Sequence, residues 1–158
     1  RNVSPLTMNA LLESAEDSFV LGIRGGIVET GKIAIIPGGH IDYTIPRIED
    51  ILETFRNEFR EELGYEFEGH VSPICIFTNK DTNGINIFYK AKTGFSFQEI
   101  LERWKVAKDQ EEHSRLFQAS YQMIKQLADT GKTTIGGMEY LTTPFLQDCF
   151  RIALEKYS

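Results

Sequence analysis

Residues 48–63 set Ile48, Ile51, Leu52, Phe55, Phe59 and Leu63 at spacings of three and four, the period of a helix with one apolar face. Gly64 stands where a left-handed cap would end it. A helix that is apolar along one side needs a covering layer, and the preceding residues offer one. The segments LTMNALLES, SFVLGIRG and GKIAII read as strands, separated by the polar break AED and by a glycine-rich stretch, and the third runs into PGGH.

Further along, SPICIFTNK and NGINIFYKAK flank a polar turn ending in Asn83-Gly84, the pattern of paired strands. Ser96 followed three residues on by Glu99 predicts a capped helix from Phe97 to about Lys105. SRLFQAS reads as a strand and YQMIKQLAD as a short helix. A last helix opens at Thr143-Pro144, with Phe145, Leu146, Cys149, Phe150, Ile152 and Ala153 on its inner face. No repeat, low-complexity tract or linker divides the 158 residues, so a single domain over 1–158 is expected.

A content of 41% hydrophobic and 25% charged residues suits a globular chain, and a net charge of -6 provides no overall basic field for nucleic acid or an anionic membrane. No apolar run reaches the roughly 20 residues of a membrane span, so no membrane partner is expected and cytoplasm is the default location. Cys75 and Cys149 lie far apart with no CxxC or Cys/His cluster, which favours two buried free thiols and argues against zinc. The stretch DTGKTTIGG is not a phosphate loop, since Gln126 stands where the first glycine is required.

The chemistry concentrates in NEFREELGY. On a helix Glu58 faces both Glu61 and Glu62, and no lysine or arginine within helical reach answers Glu58. Each like-charge pair costs on the order of 0.2–0.5 kcal/mol on an exposed helix. Glu49, Glu53, Arg56 and Arg60 project away from the apolar stripe as a solvated face, whereas Glu58 and Glu62 flank it at the edge nearest the sheet. Carboxylates at i, i+3 and i+4 on one rigid helix suit a hard divalent ion, Mg²⁺ or Mn²⁺, with Ca²⁺ allowed. A plain acidic patch screened by salt is the competing explanation.

From Gly38-Gly39-His40 through Glu49 to Tyr65, the sequence resembles the Nudix box. Asn57, Glu58, Phe59, Arg60, Glu61, Glu62, Leu63, Gly64 and Tyr65 follow Glu49 in the register of that motif. Two departures stand out: the stretch between Gly39 and Glu49 is four residues longer than the pattern, and Asn57 replaces its arginine, which in the family braces the loop to the helix. Arg47, Arg56 or Arg60 are candidates for that brace.

The resemblance implies an α+β Nudix fold, an α/β/α sandwich with a mixed sheet between helices. It also implies hydrolysis of a phosphoanhydride in a nucleoside diphosphate linked to another group: a nucleotide sugar, a dinucleotide or a nucleoside triphosphate. Glu58, Glu61, Glu62 and the Gly38 carbonyl would hold Mg²⁺ or Mn²⁺, with the glutamates catalytic and Glu58 helping to deprotonate water. The partner would be a small nucleotide, a homodimer being allowed. Among the acids of KDQEEHSRLF, Glu112 is the choice for a further catalytic carboxylate, while His113 is read as a surface residue. Arg24, Gly39 and His40 are candidate substrate contacts, and Phe77, Phe88, Tyr89 and Trp104 are assigned to the core or a sheet face. A nucleotide-binding module without catalysis is the alternative, motivated by Asn57 and the longer loop; a calcium-stabilised structural domain is weaker, because no DxDxDG loop occurs.

Overall fold

The computed structural model describes residues 6–27, 29–41, 48–80 and 83–157. In chain order these form β1 (Leu6–Glu13), β2 (Phe19–Arg24), β3 (Ile33–Ile35), β4 (Gly38–His40), α1 (Ile48–Leu63), β5 (Gly69–Asn79), β6 (Gly84–Thr93) and α2 (Phe97–Trp104). They continue with β7 (His113–Ala119), α3 (Tyr121–Thr130), β8 (Lys132–Ile135), β9 (Met138–Leu141) and α4 (Pro144–Tyr157).

Successive side chains of a strand point to opposite faces of the sheet, and β1 uses both. Leu6, Met8, Ala10 and Leu12 join Phe55, Phe59 and Leu63 of α1 and Ile100 and Trp104 of α2 in one core. Leu11 joins Ile124, Leu127 and Ala128 of α3 and Leu146, Cys149, Phe150 and Ala153 of α4 in the other. In β6, Phe88 belongs to this second core while Ile87 and Tyr89 belong to the first. The sheet is therefore a middle layer between two helical ones, the expected α/β/α arrangement.

Strand β1 runs parallel to β6 from Leu6↔Ile85 to Glu13↔Lys92. Its other edge is divided. Thr7, Met8 and Asn9 pair antiparallel with His40, Gly39 and Gly38 of β4, while Leu12 and Glu13 pair with Val20 and Phe19 of β2. Strand β2 carries the sheet on to β3 and β7, both antiparallel. The ends of β2, β4, β6 and β7 thus meet around the first half of β1, and the cleft opens there.

Helix boundaries follow local chemistry. Gly64 adopts φ +82°, its N–H donates to the Arg60 carbonyl at 2.9 Å, and a Cβ would lie 2.5 Å from the Arg103 carbonyl oxygen, so both conformation and space require glycine. Ser96 accepts from the Glu99 N–H while Glu99 accepts from the Ser96 N–H, closing the capping box; the helix stops at Trp104, with Lys105 as its C-cap. The Thr143 hydroxyl accepts from the Leu146 N–H at 3.1 Å.

After α3, in a stretch to which no element is assigned from the sequence, β8 and β9 form a hairpin turning at Gly136-Gly137, both at positive φ. The Gly-Gly pair is the signal for such a turn. Gly131 caps α3 in the left-handed conformation, so the GKTT stretch ends a helix instead of opening one. Cys149 is buried and Cys75, expected to be buried, is only partly so; both are free thiols. The four-residue extension and Arg47 lie outside the described residues.

Candidate metal and active site

The last two turns of α1 bring Glu58 and Glu62 against β4. The Gly38 N–H donates to Glu62 Oε2 at 2.9 Å, and Glu62 is buried, with 3% exposure. Glu58 is half-buried, and a Cβ on Gly39 would lie 2.4 Å from its carboxyl carbon, so the bare backbone of Gly39 is what admits this carboxylate. Burial, together with the neighbouring charges of Glu62, Glu61, Glu112 and Asp109, raises the Glu58 carboxyl to about 7. Burial also raises Glu62 well above the usual range, reinforced by Glu112 and opposed by the Gly38 N–H and Arg24.

Glu61 points elsewhere. Its carboxylate pairs with Lys108 Nζ at 3.0 Å, a cation supplied from 47 positions downstream. The Glu61 carbonyl accepts from the Asp109 N–H at 2.9 Å, which ties the segment after α2 to the end of α1. That segment continues into a short 3-10 turn, Gln110–Glu112, and the Gly25 N–H donates to the Glu112 carbonyl at 2.9 Å. Glu112 is thereby delivered to the same corner as Glu62.

His113, taken from the sequence as a surface residue, is buried: its side chain is 3% exposed. It is the first residue of β7, paired with Arg24 across an irregularity in the register. The ring rests on Gly22, where a Cβ would meet Nδ1 at 2.6 Å. Burial first, and then the charge of Arg24, hold its pKa down to about 4, so the imidazole is neutral at physiological pH. Nε2 lies 3.7 Å from Glu62 Oε1, and neither ring nitrogen has a hydrogen-bond partner among the described residues. One donor atom from each of Glu62, Glu112 and His113 falls within 4.8 Å of the others.

Glu62 and His113 open onto a cleft of about 270 Å³. Gly38, Gly39, His40, Arg24, Glu62 and His113 line it, so the three candidate substrate contacts share one cavity with Glu62 and His113. The floor was not anticipated. Asn9 donates through Nδ2 to Asn86 Oδ1 at 2.8 Å, and Asn86 donates to the Thr7 hydroxyl, all on β1 and β6. Phe145, at the start of α4, closes one side and stacks on Phe77 with 5.3 Å between ring centroids. Phe88, Tyr89 and Trp104 are buried, and Phe77 packs partly buried against the second core.

Asn57 accepts from Arg60 at 2.9 Å, and Arg60 also pairs with Glu66 at 3.1 Å, so Arg60 engages the side chain that replaces the motif arginine. The donor set fits a divalent cation. Carboxyls forced upward by burial and mutual repulsion would be relieved by one, and the orphaned imidazole offers a lone pair.

The fold is the Nudix fold. The Nudix domain of Shewanella oneidensis NrtR, solved as a complex with ADP-ribose, superposes with a TM-score of 0.63 at 17% identity, covering 100% of this chain and 91% of that one. A MutT protein from Methanosarcina mazei gives 0.60 at 18% identity, covering 100% of both chains. A MutT/Nudix family protein from Listeria innocua gives 0.63 at 16% identity, covering 99% of this chain and 96% of that one. No family model and no curated protein matches the sequence. At these identities the shared feature is the fold.

Proposed function

We propose that this chain is a metal-dependent Nudix-type pyrophosphohydrolase acting on a nucleoside diphosphate linked to another group. The observation that carries the reading is the joining of the two halves of the motif: Gly38 bonds Glu62, and the Glu58 carboxylate lies against Gly39. A glycine turn and an acidic helix edge that meet this closely give backbone and side-chain oxygens a common focus.

Glu58, Glu62 and the Gly38 carbonyl would hold Mg²⁺ or Mn²⁺, with Glu112 adding a carboxylate from the opposite wall. Glu61 would have to leave Lys108 to join them. When bound, the ion neutralises the diphosphate and lowers the pKa of a bound water. Glu58, poised near 7 before any ion arrives, suits the role of proton acceptor. Arg24 offers a fixed positive charge to a phosphate, and Gly39 and His40 border the same cavity. Phe145 and the Asn9–Asn86 pair line the part of the cleft that would receive the nucleoside.

The ADP-ribose carried by the Shewanella domain belongs to the proposed substrate class. Release of a nucleoside monophosphate should be measured over nucleotide sugars, dinucleotides, ADP-ribose and nucleoside triphosphates, with Mg²⁺ and with Mn²⁺. Turnover of at least one, abolished by Glu62→Gln, is expected; folded, metal-binding protein that cleaves none of them overturns the proposal. A binding module without catalysis is supported by Asn57 and by the Lys108 hold on Glu61, and would show nucleotide affinity indifferent to Glu58→Gln.

A further inference from the structure

We infer that His113 is a nitrogen ligand to a divalent cation shared with Glu62 and Glu112. The inference takes up the metal part of the proposed function, and its test reads coordination instead of turnover, so either can fail alone.

Leaving a buried polar group unsatisfied is unfavourable by about 1–3 kcal/mol. His113 leaves both ring nitrogens unsatisfied with its side chain only 3% exposed. Buried polar side chains are as a rule hydrogen-bonded, so an imidazole with neither nitrogen engaged keeps a lone pair available to a cation. The ring is nevertheless well located. Gly22 accepts its Nδ1 edge, since any side chain there would collide at 2.6 Å, and this seating directs Nε2 toward Glu62.

The 3.7 Å separation of Nε2 from Glu62 Oε1 is too long for a hydrogen bond. It suits two ligands of one ion. With metal–donor distances near 2.1 Å, donors lie about 3 Å apart at right angles and about 4.2 Å apart on opposite sides. Glu112 comes from the adjoining turn, so its carboxylate and the imidazole enter as consecutive residues, pinned by Gly25 to the end of β2. Arg24 is the cation facing this corner, and it also lines the cleft, where a phosphate can absorb its charge.

A set of one imidazole and two carboxylates discriminates between metals. Mg²⁺ favours oxygen ligands throughout, whereas Mn²⁺ follows it in charge and size but accepts imidazole more readily. His113 therefore tilts the site toward Mn²⁺.

Pulsed electron paramagnetic resonance on the full chain loaded with Mn²⁺ tests this directly. The expected result is a ¹⁴N imidazole coupling in the wild type that His113→Gln removes. In calorimetry, the same change should weaken Mn²⁺ binding about 10- to 100-fold and Mg²⁺ binding less than about threefold. Glu112→Gln, on an exposed turn, should weaken Mn²⁺ binding while the ¹⁴N coupling persists, which serves if His113→Gln does not fold. Bound Mn²⁺ without nitrogen coupling in the wild type, or unchanged Mn²⁺/Mg²⁺ preference in a folded His113→Gln protein, overturns the inference.

Discussion

Replacing Glu58 by glutamine should make the metal-free protein more stable while removing its proposed activity. The Glu58 carboxyl is raised from the ordinary 4.5 to about 7, first by burial and then by Glu62, Glu61, Glu112 and Asp109. Between those two values the folded state binds a proton that the unfolded chain gives up, so stability falls as pH rises. The stability that the protonated carboxyl retains is fully present below pH 4.5 and is lost as pH passes 7. At 1.36 kcal/mol per pKa unit the width corresponds to about 3 kcal/mol for a fully desolvated group. Glu58 is half-buried, and solvent screening reduces this to about 1–2 kcal/mol. Glutamine keeps the shape and does not ionise. In urea denaturation with EDTA, the difference between Glu58→Gln and wild type should therefore shift in favour of the variant by about 1–2 kcal/mol from pH 4.5 to pH 8, then level off. For a chain of this length that corresponds to about 2–8 °C in Tm. Saturating Mn²⁺ should reverse the order at pH 8, because only the carboxylate gains from the ion. A difference that is flat with pH, or that favours wild type in EDTA at pH 8, would refute the claim that repulsion and burial strain this side chain.

Gly39→Ala places a methyl group 2.4 Å from the Glu58 carboxyl carbon. The flexible carboxylate can move aside, so urea stability should change by less than about 1 kcal/mol while turnover falls at least about tenfold; full activity would separate this contact from function. Lys108→Met removes an exposed partner of Glu61, and with Lys108 71% exposed, stability should shift by no more than about 0.5 kcal/mol. Calorimetry should show divalent binding tightened about two- to fivefold, and weaker binding would mean that Lys108 organises the site instead of competing for it. Phe59→Ala empties a fully buried position where the ring meets Tyr65 and Phe67 edge-on at 4.8 and 4.9 Å. The loss should be about 3–5 kcal/mol by urea denaturation, and a loss under 1 kcal/mol would contradict the packing described for α1.

What could be read in the sequence was local. The stripe from Ile51 to Leu63, the Ser96–Glu99 box, the Thr143 cap and the register of Glu58, Glu61 and Glu62 all depend on residues within a few positions of one another, where helical geometry fixes who faces whom. The Gly136-Gly137 hairpin was equally local and was passed over, because KTTI and MEYL are too short to show a period. The partners that give the site its electrostatics were not local. Lys108 reaches Glu61 across 47 positions, and Asn86 reaches Asn9 across 77, distances over which pairing is decided by strand register alone.

His113 shows why that register was hidden. Strand β2 pairs Ile23 with Arg115 and Arg24 with His113, so Ser114 is skipped and the in–out alternation of β7 is reset at its first residues. Alternation counted back from Phe117 through Arg115 puts His113 on the face those two share, whereas the irregularity pairs it with Arg24 and turns it to the opposite face, toward Glu62 of α1. A bulge leaves no mark on composition, and an inward histidine next to an acidic turn reads the same as a solvated one. The same irregularity aims the imidazole at Glu62 and carries Glu112 to the corner of the cleft. A disturbance of strand pairing thus sets the opposite wall of the site, while the helix pattern sets the wall that the motif makes visible.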